Sequence, residues 1–172
     1  MKLDRATRDD LPDLYALIES AYRGNSARAG WSHEADLLDG QRTDRQELEA
    51  ILADAARHLF VLRDGEAIAA CVALTDKGEG CVYLGLLTVD PLRQASGVGR
   101  LLLAAAEDHA AADLGATRVE MTVIAQRPEL ITWYVRRGYL ATGERRPFPH
   151  GDPRAGRPKR DDLEFIVLEK PL

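Results

Sequence analysis

Apolar residues recur at helical spacing through Leu11, Leu14, Tyr15, Leu17, Ile18, Ala21 and Tyr22, which predicts an amphipathic first helix. Thr7 and Asp10 form a start signal ahead of it, and Pro12 falls in the first turn, where a missing N–H costs nothing. The periodicity dissolves between residues 23 and 41, where Trp31 is the largest apolar side chain. A second start signal at residues 43–46 precedes the stripe Leu48, Ile51, Leu52 and Ala55, a second helix. The pattern then shortens to strands. Residues 58–63 and 66–74 flank Asp64-Gly65, a hairpin turn, and a turn at 77–80 leads into 81–89, which is nearly all apolar. Such a run reads as a central strand covered on both faces. A long helix follows from Gly97 to about Leu114, stopped by Gly115. Then come a strand at 118–124, a short helix at 128–137 opened by Pro128, and strands at 139–142 and 162–169. Residues 145–160, with four of the eight prolines, read as a loop. The fold class is therefore α/β (α+β): one domain over residues 1–172, built on a mixed, mostly antiparallel sheet with helices on both faces.

Composition narrows the possibilities. The 172 residues are 45% hydrophobic and 30% charged, ordinary for a globular chain. No apolar run approaches the roughly 20 residues of a membrane span, and Met1-Lys2-Leu3-Asp4-Arg5 does not read as a signal peptide. Twenty-three basic and 28 acidic residues give a net charge of −5, which argues against nucleic-acid binding but not against a local basic pocket. Two cysteines, Cys71 and Cys81, are too few for a disulfide framework or a zinc site, so a reduced, cytoplasmic setting without a metal is the expectation.

The informative stretch runs from Leu84 to Arg100. A buried strand enters a short loop, and the loop enters a helix whose first turn is Gly97-Val98-Gly99-Arg100. Unpaired N–H groups and the helix dipole there suit a phosphate, and glycine lets it approach the main chain. Arg93 and Arg100 add positive charge. A Walker-type loop needs lysine after the glycines, where Arg100 stands; a dinucleotide fingerprint needs a third glycine, where Leu102 stands. Gln94-x-x-Gly97-x-Gly99 resembles the Arg/Gln-x-x-Gly-x-Gly/Ala signature of the GNAT superfamily of N-acetyltransferases. The segment from Leu130 to Tyr139, with Tyr134 four residues before Gly138, resembles that family's second block.

The resemblance implies a sheet whose fourth and fifth strands, here 81–89 and 118–124, splay to admit the pantetheine arm of acetyl-CoA. It implies amides at Leu87 and Val89, with Thr88 between them, against the acetyl carbonyl and pantetheine. Pyrophosphate would lie on Gln94, Ala95, Ser96, Gly97, Val98, Gly99 and Arg100, and Tyr134 would act as general acid towards the coenzyme thiolate. Arg127 stands where many members carry an asparagine that contacts the cofactor arm. The partners implied are acetyl-CoA and an amine; a homodimer is common among similar proteins. Acyl-CoA sensing without turnover is the alternative, and a nucleotide-phosphate enzyme a third reading.

The acceptor side falls, by the same resemblance, on residues 22–43 and 145–160. Trp31 can wall a pocket or pack a loop. Glu34 can take a proton from the amine or hold a cationic acceptor, and it can equally share a surface ion pair with Arg42. Phe148 and His150 stand out in the second segment. Glu120 is a candidate base acting through water, with strand alternation leaving its face undecided.

Overall fold

The computed structural model describes residues 2–172. Its strands β1 (Lys2–Arg5), β3 (Arg57–Asp64), β4 (Ala67–Asp76), β5 (Cys81–Val89), β6 (Arg118–Ile124), β7 (Leu140–Pro147) and β9 (Glu164–Pro171) form one seven-stranded sheet in the order β1-β3-β4-β5-β6-β9-β7. Only β5 and β6 pair in parallel. Two short strands, β2 (Leu38–Asp39) and β8 (Arg157–Pro158), pair with each other. Helices α1 (Leu11–Tyr22) and α3 (Arg45–Ala53) cover one face, α4 (Val98–Leu114) and α5 (Pro128–Val135) the other, and α2 (Gly24–Ala27) follows α1.

Alternation along the strands separates two cores. Leu59, Val61, Cys71 and Ala73 pack on Leu14, Ile18, Leu48 and Ile51. Phe60, Leu62, Val72 and Leu74, with Met121 and Val123, pack on Leu102, Leu103 and Ala106 of α4. Each helix presents its apolar stripe to a pleated surface, so neighbouring residues of one strand serve opposite cores.

The pairing that shapes the centre is incomplete. Only Cys81, Val82 and Tyr83 of β5 pair with Arg118, Val119 and Glu120 of β6; beyond Tyr83 the two strands part. On its other side β5 carries a bulge: Cys71 pairs with Thr88 and Ala73 with Gly85, leaving one extra residue in β5, where Leu86 takes φ +50°. The fourth and fifth strands of the main sheet thus splay.

Several local expectations are corrected. The first hairpin loop is Gly65-Glu66, since Asp64 pairs with Ala67. The α3 cap is Asp44, whose carboxylate accepts from the Glu47 N–H at 2.7 Å. Residues 24–27 are helical although the segment is turn-rich. Strand β7 extends to Pro147 within what reads as loop: it is an exposed edge strand, so it carries no apolar alternation. Cys71, opposite Thr88 in the sheet, and Cys81 are buried free thiols. No helix among the described residues is long and apolar enough to cross a membrane.

The start of α1 joins to the sheet through one carboxylate. Asp10 accepts from the Thr7 N–H at 2.8 Å and the Thr7 hydroxyl at 3.0 Å, and from Arg63 Nη2 of β3 at 2.6 Å. Burial raises its pKa, but Arg63 and Thr7 outweigh that and hold it below the ordinary carboxylate value. A depressed folded pKa stabilises above the unfolded value of about 4 and loses that contribution as pH falls through the folded value. Asp10→Asn should therefore lower stability by about 1–3 kcal/mol at neutral pH. Urea unfolding should show the difference shrinking in acid; equal stabilities at neutral pH would contradict this role.

Candidate active site

The splay opens two adjoining cavities. The first, of about 360 Å³, is lined by the loop before α4, by α5 and by residues 31 and 32. The second, of about 190 Å³, lies in the gap between β5 and β6 and reaches Tyr22, Glu34 and Arg42. Leu87, Arg127, Leu130 and Tyr134 line both, as does Tyr22.

The wall on the β5 side offers main-chain donors. The Asp90 N–H bonds the Ala69 carbonyl at 3.0 Å, which makes Ala70–Val89 a non-hydrogen-bonded pair and turns the Val89 N–H away from β4, towards the gap. Tyr22 donates its hydroxyl to the Leu87 carbonyl at 2.8 Å, fixing the bulged main chain from the α1 side. The Thr88 side chain is buried, and its hydroxyl donates to the Leu86 carbonyl at 2.9 Å.

The loop before α4 has the geometry of an anion cradle. Ala95 has φ +67° and Gly97 φ +89°, and the N–H groups of residues 95–100 find no main-chain acceptor among the described residues. A Cβ on Gly97 would meet no protein atom within 4 Å, so the space in front of it is open. Val98 turns inward to the core, and the Ser96 hydroxyl donates to the Arg93 carbonyl. Arg93 itself is paired with Asp64 and faces away from the cradle. Arg137 takes its place: it lines the first cavity with Arg100, and its guanidinium carbon lies 3.5 Å from the centre of the Trp133 ring. Burial and the nearby charges of Arg100 and Arg136 press its pKa down.

Gln94 lines the first cavity with the cradle and is also bonded within the protein. Its Oε1 accepts from the Trp31 N–H at 2.8 Å and the Ser32 N–H at 3.2 Å, while its Nε2 donates to the Val89 carbonyl at 3.2 Å. The side chain thus latches the segment after α1 to the end of β5. Trp31, 39% exposed, stands 6.1 Å from Trp133 at the edge of the first cavity, not beside Glu34 and Arg42.

Glu34 and Arg42 do meet, in the second cavity. Glu34 is bonded to Arg23, and Arg127 Nη1 lies 3.6 Å away. Burial raises its pKa, yet Arg23, Arg42 and Arg127 together hold it below the ordinary carboxylate value. Glu120 is bonded to Arg146 at 2.9 Å and lines neither cavity. Phe148 is buried in a satellite core with Leu38, Ile124 and Leu163. It supports the site from behind, since β2, β8 and the Lys159 N–H bond to the Leu37 carbonyl bring the two acceptor-side segments together. Tyr83 and Thr122 share a hydrogen bond of 2.7 Å across the gap.

Tyr134 is 6% exposed, its hydroxyl makes no hydrogen bond among the described residues, and it lines both cavities. Burial pushes its pKa well above that of a free phenol, so the group stays protonated. Tyr22, Tyr83, Trp133 and Arg137 were not singled out by sequence reasoning. Tyr22 ends the apolar stripe of α1, and Arg137 lies three positions beyond Tyr134, on the same side of the chain.

Residues 11–139 match the model of the Acetyltransferase (GNAT) family. Solved structures share the fold at low identity. The ribosomal-protein-S18-alanine N-acetyltransferase of Escherichia coli aligns with TM-score 0.72 and 19% identity, over 99% of this chain and 92% of that one. The ribosomal-protein-alanine N-acetyltransferase of Brucella melitensis aligns with TM-score 0.72 and 16% identity over 100% of both. A chimera of the Vibrio cholerae spermidine N-acetyltransferase SpeG and hSSAT aligns with TM-score 0.70 and 16% identity, over 99% of this chain and 96% of the other. No curated protein sequence matches.

The latch gives a direct test. Gln94→Ala should release the Trp31 and Ser32 amides, whose hydrogen exchange should quicken about tenfold, the scale of one lost hydrogen bond. Unchanged exchange at both amides would mean the segment is held by other contacts.

Proposed function

Because the chain belongs to the acetyltransferase (GNAT) family, we propose that it transfers the acetyl group of acetyl-CoA to a primary amine by direct attack, with Tyr134 as proton donor. The observation that carries this is the position of the Tyr134 phenol: protonated, without a hydrogen-bond partner among the described residues, and on the wall common to both cavities.

Acetyl-CoA supplies an activated acyl group, and the chain's residues fit it on the evidence of their unspent donors. The N–H groups of residues 95–100, with Arg100 and Arg137, are suited to the pyrophosphate in the first cavity. The Val89 N–H, aimed into the gap, is suited to the acetyl carbonyl oxygen, where negative charge grows as the amine attacks. Arg127, which lines both cavities, would stand between the cofactor arm and the acceptor. The acceptor enters from the second cavity. Its nitrogen forms the new N–C bond, the C–S bond breaks, the departing sulfur takes the proton of Tyr134, the amine's own proton leaves to water, and water returns a proton to the Tyr134 phenolate. Burial keeps the Tyr134 phenol protonated at neutral pH, so that its O–H is available as a donor to the departing sulfur.

Tyr134→Phe should lower kcat roughly 10²-fold while leaving the affinity for acetyl-CoA unchanged, measured by steady-state kinetics over an amine panel and by calorimetry. Full activity in that variant would remove Tyr134 from the reaction. Tight acetyl-CoA binding with no turnover of any amine by the unaltered protein would favour a sensing role over catalysis.

A further inference from the structure

The second cavity holds more positive charge than the protein neutralises. Its charged lining is Glu34, Arg42 and Arg127. Glu34 is already bonded to Arg23, the third arginine around it, and has Arg127 Nη1 at 3.6 Å. Arg127 has a side chain only 3% exposed, with Nε and Nη2 making no hydrogen bond, although the half-exposed Glu129 stands 3.6 Å from the Nε. Arg42 has its guanidinium carbon 5.2 Å from the centre of the Tyr22 ring and no carboxylate in ion-pair contact among the described residues. The other acids nearby are engaged. Glu19 accepts the main-chain N–H groups of Arg42 and Thr43, Glu47 the Thr43 hydroxyl, and Glu120 bonds Arg146. Three arginines therefore surround one carboxylate in a largely enclosed space.

A buried guanidinium without an anion is costly, and its planar fork matches a carboxylate. We infer that the acceptor is a small amine that also carries a carboxylate, and that Arg42, with the positive charge of Arg127 beside it, binds that carboxylate. This rests on the acetyl-transfer reading above and names its substrate class. A polyamine would set its second cation against Arg42 and Arg127, with Glu34 already taken. The volume of about 190 Å³ suits a free amino acid, and Val123, Ile124, Leu130 and Phe165 offer its side chain an apolar wall. The carboxylate on Arg42 and the amine towards Leu87 and Tyr134 set the molecule across the gap, with the Tyr83–Thr122 pair beside it.

The test compares free amino acids with their decarboxylated amines and with spermidine, all at equal concentration. Two readouts are taken: acetyl transfer, and calorimetric binding to the protein saturated with CoA. At least one amino acid should bind and be acetylated, with kcat/KM at least about 100-fold above its decarboxylated counterpart, the scale of a lost charge-assisted contact. Arg42→Gln should erase most of that preference, raising KM for the amino acid while acetyl-CoA affinity stays unchanged. Preference for the decarboxylated amines or spermidine would overturn the inference. So would normal CoA binding with no amino acid bound, or an Arg42→Gln effect equal on both classes. Failure of CoA itself to bind would instead overturn the acetyl-transfer reading.

Discussion

After three residue pairs, β5 and β6 stop sharing hydrogen bonds, and everything else about the site depends on that break. A parallel pair that continued to Val89 would consume the main-chain groups of β5 and close the sheet. Because it stops at Tyr83, the far half of β5 keeps β4 on one side and faces a gap on the other. The bulge at Leu86 re-aims the strand there, and the Tyr22 hydroxyl holds the Leu87 carbonyl from outside the sheet. A donor row left unpaired inside a fold is a cost that a ligand offsets when it binds.

The loops are tied to this gap from two directions. Gln94 fastens the segment after α1 to the end of β5, on the side of the first cavity. The β2–β8 pair, with the Lys159 contact to Leu37 and the bond from Arg23 to the Ala155 carbonyl, closes the second cavity from behind. Residues 23–43 therefore touch both cavities: Trp31 and Ser32 at one, Glu34 and Arg42 at the other. That segment is short of apolar periodicity because its side chains answer to two cavities and a latch, not to one helix face. Its polar residues are spaced by the shape of the gap.

The sheet and its helices were legible because each strand or helix carries its own periodicity: the stripe of α1, the apolar run of β5, the glycines at both ends of α4. What escaped was non-local. Strand β7 is exposed along its length, so no burial pattern marks it. Arg93 and Arg137 are both arginines near phosphate motifs; that Asp64 draws one away while Trp133 holds the other in place depends on contacts across the fold. Gln94 fits a motif yet spends its amide on Trp31, and Glu120 sits in the expected strand yet answers to Arg146 on β7. The turn before α4 and the short helix that carries Tyr134 are legible in the chain because their geometry is set within a few residues of themselves.

The central claim is that the donors left free by the splay and by the loop before α4 are the groups that receive acetyl-CoA. Backbone amide NMR during titration with acetyl-CoA tests it most directly. The account predicts that the largest shifts fall on the Val89 N–H and on the N–H groups of residues 95–100, with the outer strands β1 and β7 silent. Saturating binding that leaves the Val89 and 95–100 amides unmoved would contradict it.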